Sequence, residues 1–400
     1  MVIDVERFGE FRLQADFLAR YRDKAPPWGF DALSWVTFKR TYSRNGEEWW
    51  ETCRRVIEGM FSVQRVHCLE RKLPWDEKKA RGFARRAYDR LFHFKWTPPG
   101  RGLWMMGTDF MYERGGAALN NCGFISTEDI DRNYGEPFGW MMHMSMLGVG
   151  IGFDTRGKGK RIIQQPARRN DDVHVIGDSR EGWAGAIERL LNAYVGDAAL
   201  PSEWDYSEIR PRGTKLESFG GFASGPEPLR KAIESIATLY DTYVGEEVDA
   251  RLIVDTMNLV GRCVVSGGTR RSAQIALGDA GDSQFLDLKE DREKVEDYRW
   301  ASNNSVFAQQ GINYTDVARR TSHNGEPGYF WLDNARAYSR MGDGKDWADE
   351  RAMGTNPCGE QTLWDRELCC LVETYPAHHE SIHDYLDTLK IAYQYAKTVT

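Results

Sequence analysis

The sequence predicts an α/β protein, with a helical region over residues 1–100 followed by strands that alternate with helices in a layer or barrel. Three observations carry this. Apolar residues at helical spacing dominate the first hundred positions, the run Thr97-Pro98-Pro99-Gly100 stops any helix there, and beyond it short glycine-bounded apolar runs alternate with helical stretches.

Trp49, Trp50, Cys53, Val56, Ile57, Met60 and Phe61 recur at steps of three and four from Glu47 onward, which is one amphipathic helix. A second begins after Pro74 and sets Ala80, Phe83, Ala84, Ala87 and Leu91 on one face. Past the Pro-Pro-Gly boundary, 101–400 forms the α/β region, with strands expected at 122–126, 149–154, 263–266, 274–277, 305–308 and 368–373. Helices are expected at 138–146 and 178–194, the latter opened by Asp178 with Glu181 three residues on, a capping-box pattern.

Two segments are dense in glycine, Leu147-Gly148-Val149-Gly150-Ile151-Gly152-Phe153 and Val265-Ser266-Gly267-Gly268-Thr269-Arg270-Arg271-Ser272. Glycine allows tight turns and close backbone approach, but neither segment matches a P-loop or a complete dinucleotide fingerprint, so each reads as a turn between strands. Residues 206–226 form a long Gly/Pro/Ser loop whose aromatic residues favour function over disorder.

Composition excludes several classes of function. With 41% hydrophobic and 28% charged residues and 14 Trp, the 400 residues are those of a soluble globular protein able to bury a core. A net charge of −7 lacks the basic field that draws polyanions, so nucleic acid is not an expected partner. The basic clusters at 156–161 and Arg168-Arg169 either hold a phosphorylated small molecule or form solvated charged loops. No apolar run approaches the roughly 20 residues of a membrane helix, and the N-terminus has no leader pattern, so a cytoplasmic location without membrane contact is expected. Seven cysteines without framework spacing argue against a secreted disulfide scaffold, and any disulfide is expected to be catalytic.

Cys358 sits in Thr355-Asn356-Pro357-Cys358-Gly359-Glu360, stiffened by proline on one side and freed by glycine on the other. A tight loop there points a thiol, the Asn356 amide and the Glu360 carboxylate at one spot, which suits a nucleophile, a redox thiol or a radical; a buried cysteine in a turn is the bland alternative. Cys369, eleven residues on, and Cys370 fall in an apolar strand and face opposite sides of it. Cys53, Cys68 and Cys263 read as small core residues. Cys369-Cys370 followed by His378-His379 raises a zinc site, but adjacent ligands suit one tetrahedral ion poorly and no Cys-x-x-Cys partner exists, so no metal site is expected. The triad of cysteines that holds an S-adenosylmethionine-cleaving cluster is also absent, so a radical here needs another cofactor.

Asn356 to Glu360, Cys369, and Leu119-Asn120-Asn121-Cys122 together resemble the catalytic set of the ribonucleotide reductases. Arg40-Thr41-Tyr42-Ser43-Arg44, Asp205-Tyr206-Ser207-Glu208-Ile209-Arg210-Pro211 and the Val264 to Ser272 segment are similar to the monomeric, adenosylcobalamin-dependent (class II) ribonucleoside-triphosphate reductases, from about residue 36 to the last. The resemblance implies the first part of a ten-stranded α/β barrel with a finger loop carrying Cys358 as the site of a transient thiyl radical. It implies Glu360 as the proton acceptor from the 3′ hydroxyl, Asn356 as a hydrogen-bond partner of the sugar, and Cys122 with Cys369 as the dithiol that closes to a disulfide. Cys370 stands where the family usually has asparagine. Adenosylcobalamin, a ribonucleoside triphosphate substrate, a deoxynucleotide effector bound within about 156–300, and thioredoxin or a similar reductant are implied as cofactor and partners.

The chain stops inside a helical run, Tyr393 to Thr400, without a stop signal, so the sequence is expected to be the N-terminal part of a split, intein-interrupted or truncated enzyme completed by a second polypeptide. Two alternatives remain at this point: the large subunit of an iron-dependent ribonucleotide reductase, and an inactive nucleotide-binding or assembly module.

Overall fold

The structure, a computed structural model, describes residues 3–26, 31–216, 221–266, 273–339 and 342–399. It divides into two compact units, Met1–Asn121 with Cys370–Thr400, and Cys122–Cys369.

The first unit is mainly helical. Helix Trp49–Glu70 opens with a reciprocal capping box between Glu48 and Glu51 and buries Cys53, Val56, Ile57, Met60 and Phe61, the face its spacing predicts. Each of the larger side chains stabilises by about 1.5–3 kcal/mol on burial, so the packed face rather than propensity holds this helix. Helix Glu77–Phe92 is capped by Asp76, which accepts from the Lys79 amide at 3.0 Å. From its last turn Arg90 reaches Asp384 at 2.7 Å, and Lys95 reaches the other oxygen of the same carboxylate at 2.6 Å, fastening helix Ile382–Val399.

The second unit is built on β1 (Cys122–Ile125), β2 (Gly150–Asp154), β3 (Gln274–Asp279), β4 (Ser302–Phe307), β5 (Gly328–Phe330), a hairpin of β6 (Gly354–Thr355) and β7 (Thr362–Leu363), and β8 (Leu368–Cys369). Six of these form one sheet in the order β8-β1-β2-β3-β4-β5. Strands β1 to β5 run parallel in sequence order, and β8 pairs antiparallel with β1. Parallel neighbours in unbroken sequence order are the winding of an α/β barrel; a doubly wound sheet reverses direction partway. Every residue of β1 and β2 is buried, as strands covered on both faces must be. Between β2 and β3 lies an excursion holding the parallel pair Val173–Val175 and Glu203–Asp205 and the helices Arg180–Ala193, Glu227–Asp241 and Ala250–Val265.

Three expectations change. The strand expected at 263–266 is the tail of helix Ala250–Val265: Ile253, Met257, Val260 and Val264 recur at helical steps, and a short apolar run carries no period of its own. The strand at 368–373 is two separate pairings, Leu368–Cys369 with β1 and Glu373–Thr374 with Trp96–Thr97. The helix expected from 178 begins at Arg180, because Ser179 rather than Asp178 caps it, accepting from the Gly182 amide at 2.9 Å; Asp178 pairs instead with Arg210. Within the glycine-dense run at 147–153 Gly148 makes the turn with φ +78°, while Gly150 and Gly152 lie inside β2, the strand expected at 149–154.

Most cations of the 156–161 cluster are engaged within the unit: Lys158 holds Asp282 at 2.6 Å, Arg161 pairs with Asp197, and Lys160 donates to the Glu128 carbonyl. Arg168 and Arg169 are exposed, a solvated charged loop. The described part of 206–226 is irregular apart from a bridge between Lys215 and Phe222. Residues 217–220 of that loop and 267–272 of the second glycine-dense segment lie outside the described residues. Among the described residues no helix is long and apolar enough to cross a membrane.

Candidate active site

Cys122 is the first residue of β1, and the antiparallel register of β8 sets Cys369 directly opposite it. Opposed residues in such a pair have Cα atoms about 4.5–5.5 Å apart. Disulfides form over about 4.4–6.8 Å. Neither is bridged by a disulfide, and both are buried, at 7% and 2% exposure, against Phe124, Ile275, Leu277 and Leu363. Register therefore places Cys369 opposite Cys122, and its neighbour Cys370 lies beyond β8.

The β6–β7 hairpin presents the loop Asn356–Gln361. It closes through the Gly359 amide donating to the Asn356 carbonyl at 3.0 Å and the Gln361 amide donating to Asn356 Oδ1 at 3.1 Å. Gly359 takes φ +81°, a left-handed turn conformation that favours glycine. The Asn356 side chain is fully buried and donates from Nδ2 to Glu360 Oε1 at 2.7 Å and toward Cys369 Sγ at 3.8 Å. Cys358 lies exposed in the loop, with Cys122 and Glu360 among the groups that act on its thiol. All five residues singled out in the sequence, Cys122, Asn356, Cys358, Glu360 and Cys369, thus come together within the second unit.

Three glycines that the sequence did not single out as site residues make this possible. A Cβ on Gly152 would fall 1.9 Å from the Thr355 carbonyl oxygen, and one on Gly354 would fall 2.1 Å from the Phe124 ring. On Gly150 it would press Pro357 Cγ at 3.3 Å and Cys122 Sγ at 3.5 Å. The finger loop rests on bare backbone. The available signal was the spacing of two between Gly150 and Gly152, which puts both on one strand face, where glycine marks close approach of another chain segment.

Electrostatics favour the protonated thiols. Partial desolvation, followed by the neighbouring Cys122 and Glu360, pushes the Cys358 thiol above its ordinary range. The hydrogen bond with Cys369, then burial, raises Cys122. Nucleophilic and metal-binding cysteines work as thiolates with depressed pKa, whereas these thiols retain an S–H hydrogen near neutral pH. Such an arrangement is suited to giving up a hydrogen atom and to closing a disulfide beside it. Cys370 is also pushed up, to about 12, by burial. Among the described residues no three His, Cys, Asp or Glu side chains are grouped to hold a metal ion.

The chain matches the family model described as the ribonucleotide reductase alpha domain over residues 13–108 and that of the B12-dependent ribonucleotide reductase insertion domain over 158–240. It is 44% identical over 420 residues to a probable adenosylcobalamin-dependent ribonucleoside-triphosphate reductase of Dictyostelium discoideum, covering 99% of this chain and 55% of the relative. The adenosylcobalamin-dependent ribonucleoside-triphosphate reductase of Euglena gracilis is 45% identical over 404 residues, covering 98% of this chain and 55% of the relative. A crystal structure of a B12-dependent (class II) ribonucleotide reductase superposes with a TM-score of 0.84 at 30% identity, covering 98% of this chain and 62% of that one. The chain spans about 55% of the length of these two curated relatives. Taken with a fold and a thiol cluster of the kind its motifs imply, these likenesses show that the chain belongs to the adenosylcobalamin-dependent (class II) ribonucleotide reductases.

Proposed function

We propose that this chain carries the catalytic thiols of an enzyme that reduces ribonucleoside triphosphates to 2′-deoxyribonucleotides by a thiyl-radical mechanism. The observation that carries the proposal is the convergence of the loop bearing the exposed Cys358 on the opposed pair Cys122 and Cys369. Cys358, having lost its hydrogen atom, takes the 3′ hydrogen of the ribose. Glu360 accepts the proton of the 3′ hydroxyl, and Asn356, held by Glu360, orients the sugar by hydrogen bonding. Loss of the 2′ hydroxyl as water needs protons and two electrons, and Cys122 and Cys369 supply them as they close to a disulfide. The 3′ hydrogen then returns from Cys358, and an external dithiol such as thioredoxin reopens the disulfide.

Adenosylcobalamin, when bound, supplies a carbon-centred radical through homolysis of its cobalt–carbon bond. The residues present fit that supply at one point: an exposed cysteine kept as a thiol is the hydrogen donor such a radical requires. The insertion-domain match at 158–240 favours this cofactor over the iron-dependent alternative. A deoxynucleotide effector belongs, on this reading, to the stretch 156–300. The length that the relatives have and this chain lacks is supplied by a further polypeptide segment, on the same chain or on a second one.

The test is deoxynucleotide formation from a ribonucleoside triphosphate with adenosylcobalamin and dithiothreitol, using the chain with and without a polypeptide carrying that remaining length. Turnover with the added segment, and its loss on Cys358→Ser, is the expected result. No turnover in any combination, or turnover that survives Cys358→Ser, contradicts the proposal; full activity of the 400 residues alone contradicts the need for the added segment.

A further inference from the structure

We propose that Asp154 and Arg156 are positioning residues, forming a two-sided latch that sets how far the finger loop carries Cys358 toward Cys122. Asp154 ends β2 with its side chain fully buried, and it accepts from Ser126 Oγ at 2.7 Å, the Thr127 amide at 2.8 Å and Thr127 Oγ1 at 2.9 Å. Arg156 adds its Nη1 at 2.5 Å and its backbone amide at 3.3 Å. The other terminal nitrogen of Arg156 donates to the Met353 carbonyl at 2.9 Å, on the leg of chain that enters the β6–β7 hairpin. The guanidinium is braced 4.6 Å from the centre of the Phe307 ring.

The leg that leaves the hairpin is tied to the same place. The Ser126 amide donates to Asp365 Oδ1 at 2.8 Å, while the Ser126 hydroxyl is committed to Asp154. One buried carboxylate therefore reaches the entering leg through Arg156 and the leaving leg through Ser126. Between those legs lie Asn356, Cys358 and Glu360. The planar fork of arginine serves two acceptors in fixed directions, which the point charge of lysine does not. This gives a use to the basic cluster at 156–161 other than phosphate binding: its first residue fastens the reactive loop.

The significance of the latch rests on Cys358 being the reacting thiol, but its test reads thiol positions and not turnover, so either can fail without the other. Iodoacetamide alkylation of each cysteine in the intact chain is followed by mass spectrometry for wild type, Arg156→Met, Arg156→Lys and Asp154→Asn. Diamide oxidation reports the Cys122–Cys369 disulfide in the same samples. Loss of a charge-assisted hydrogen bond predicts that both Arg156 variants alkylate at Cys358 about tenfold faster, with disulfide yield and circular dichroism unchanged. A wild-type rate at Cys358 in folded Arg156→Met overturns the proposal. Equal acceleration at Cys122, Cys369 and Cys358 also overturns it, because that is general loosening. A wild-type rate in Arg156→Lys shows that charge alone suffices and overturns the two-sided latch. If Asp154→Asn does not fold, the two Arg156 variants decide the matter.

Discussion

Cys358 departs from the behaviour of most reactive cysteines, since its surroundings hold the proton on instead of removing it. Because its pKa is raised, the thiolate fraction at a given pH is smaller than for a free cysteine. Its alkylation rate is expected to climb with a midpoint above about 8.5. A midpoint below that value, measured by the rate of iodoacetamide labelling against pH, contradicts the assignment. Glu360→Gln is expected to lower turnover by about 10²–10⁴-fold, the ordinary contribution of a general base, while the Cys122–Cys369 disulfide still forms on oxidation. At this scale the loop from Asn356 to Glu360 was legible because its groups are neighbours in sequence. The placement of Cys122 against Cys369 was implied only by resemblance, since strand register, not spacing, sets them opposite each other. The glycines under the loop were passed over because a glycine in an apolar run signals a turn, a weak strand or a close approach without telling them apart.

Strand β2 is the element on which the site depends, serving as a floor at Gly150 and Gly152 and as the anchor of the latch at Asp154. Gly152→Ala would set a methyl 1.9 Å from the Thr355 carbonyl, so the hairpin must lift. A loss of about 1–3 kcal/mol in urea unfolding is expected, as for other overpacked sites, together with faster labelling of Cys358; an unchanged stability and labelling rate would contradict the seat. The helix Ile382–Val399 gives a second test. Lys95, then Arg90, hold the Asp384 carboxyl down to about 2. A depressed carboxylate pKa stabilises the folded state above the unfolded value of about 3.9 and ceases to do so as pH falls through about 2. Asp384→Asn is therefore expected to melt a few degrees below wild type above pH 4, with the two curves converging toward pH 2; a pH-independent difference contradicts it. Long elements with a full helical period were legible in the sequence. Residues 263–266 were not, because three apolar residues and a serine at a helix end are indistinguishable from a short strand.

For the molecule as a whole, alternating strands and helices foretold the α/β class, and the consecutive order β1 to β5 gives it the winding of a barrel. Local pattern says nothing about which strands pair, so β8 turning back antiparallel onto β1 came from the structure alone. That single reversal is what sets two buried thiols face to face. On the proposed mechanism those thiols supply the reducing electrons, and a single turnover without external reductant addresses this directly. The chain, completed by the length its relatives possess, is given adenosylcobalamin and a ribonucleoside triphosphate, quenched, and mapped for disulfides. One Cys122–Cys369 disulfide for each deoxynucleotide formed is the predicted result; deoxynucleotide formed while Cys122 and Cys369 remain free thiols would contradict the account.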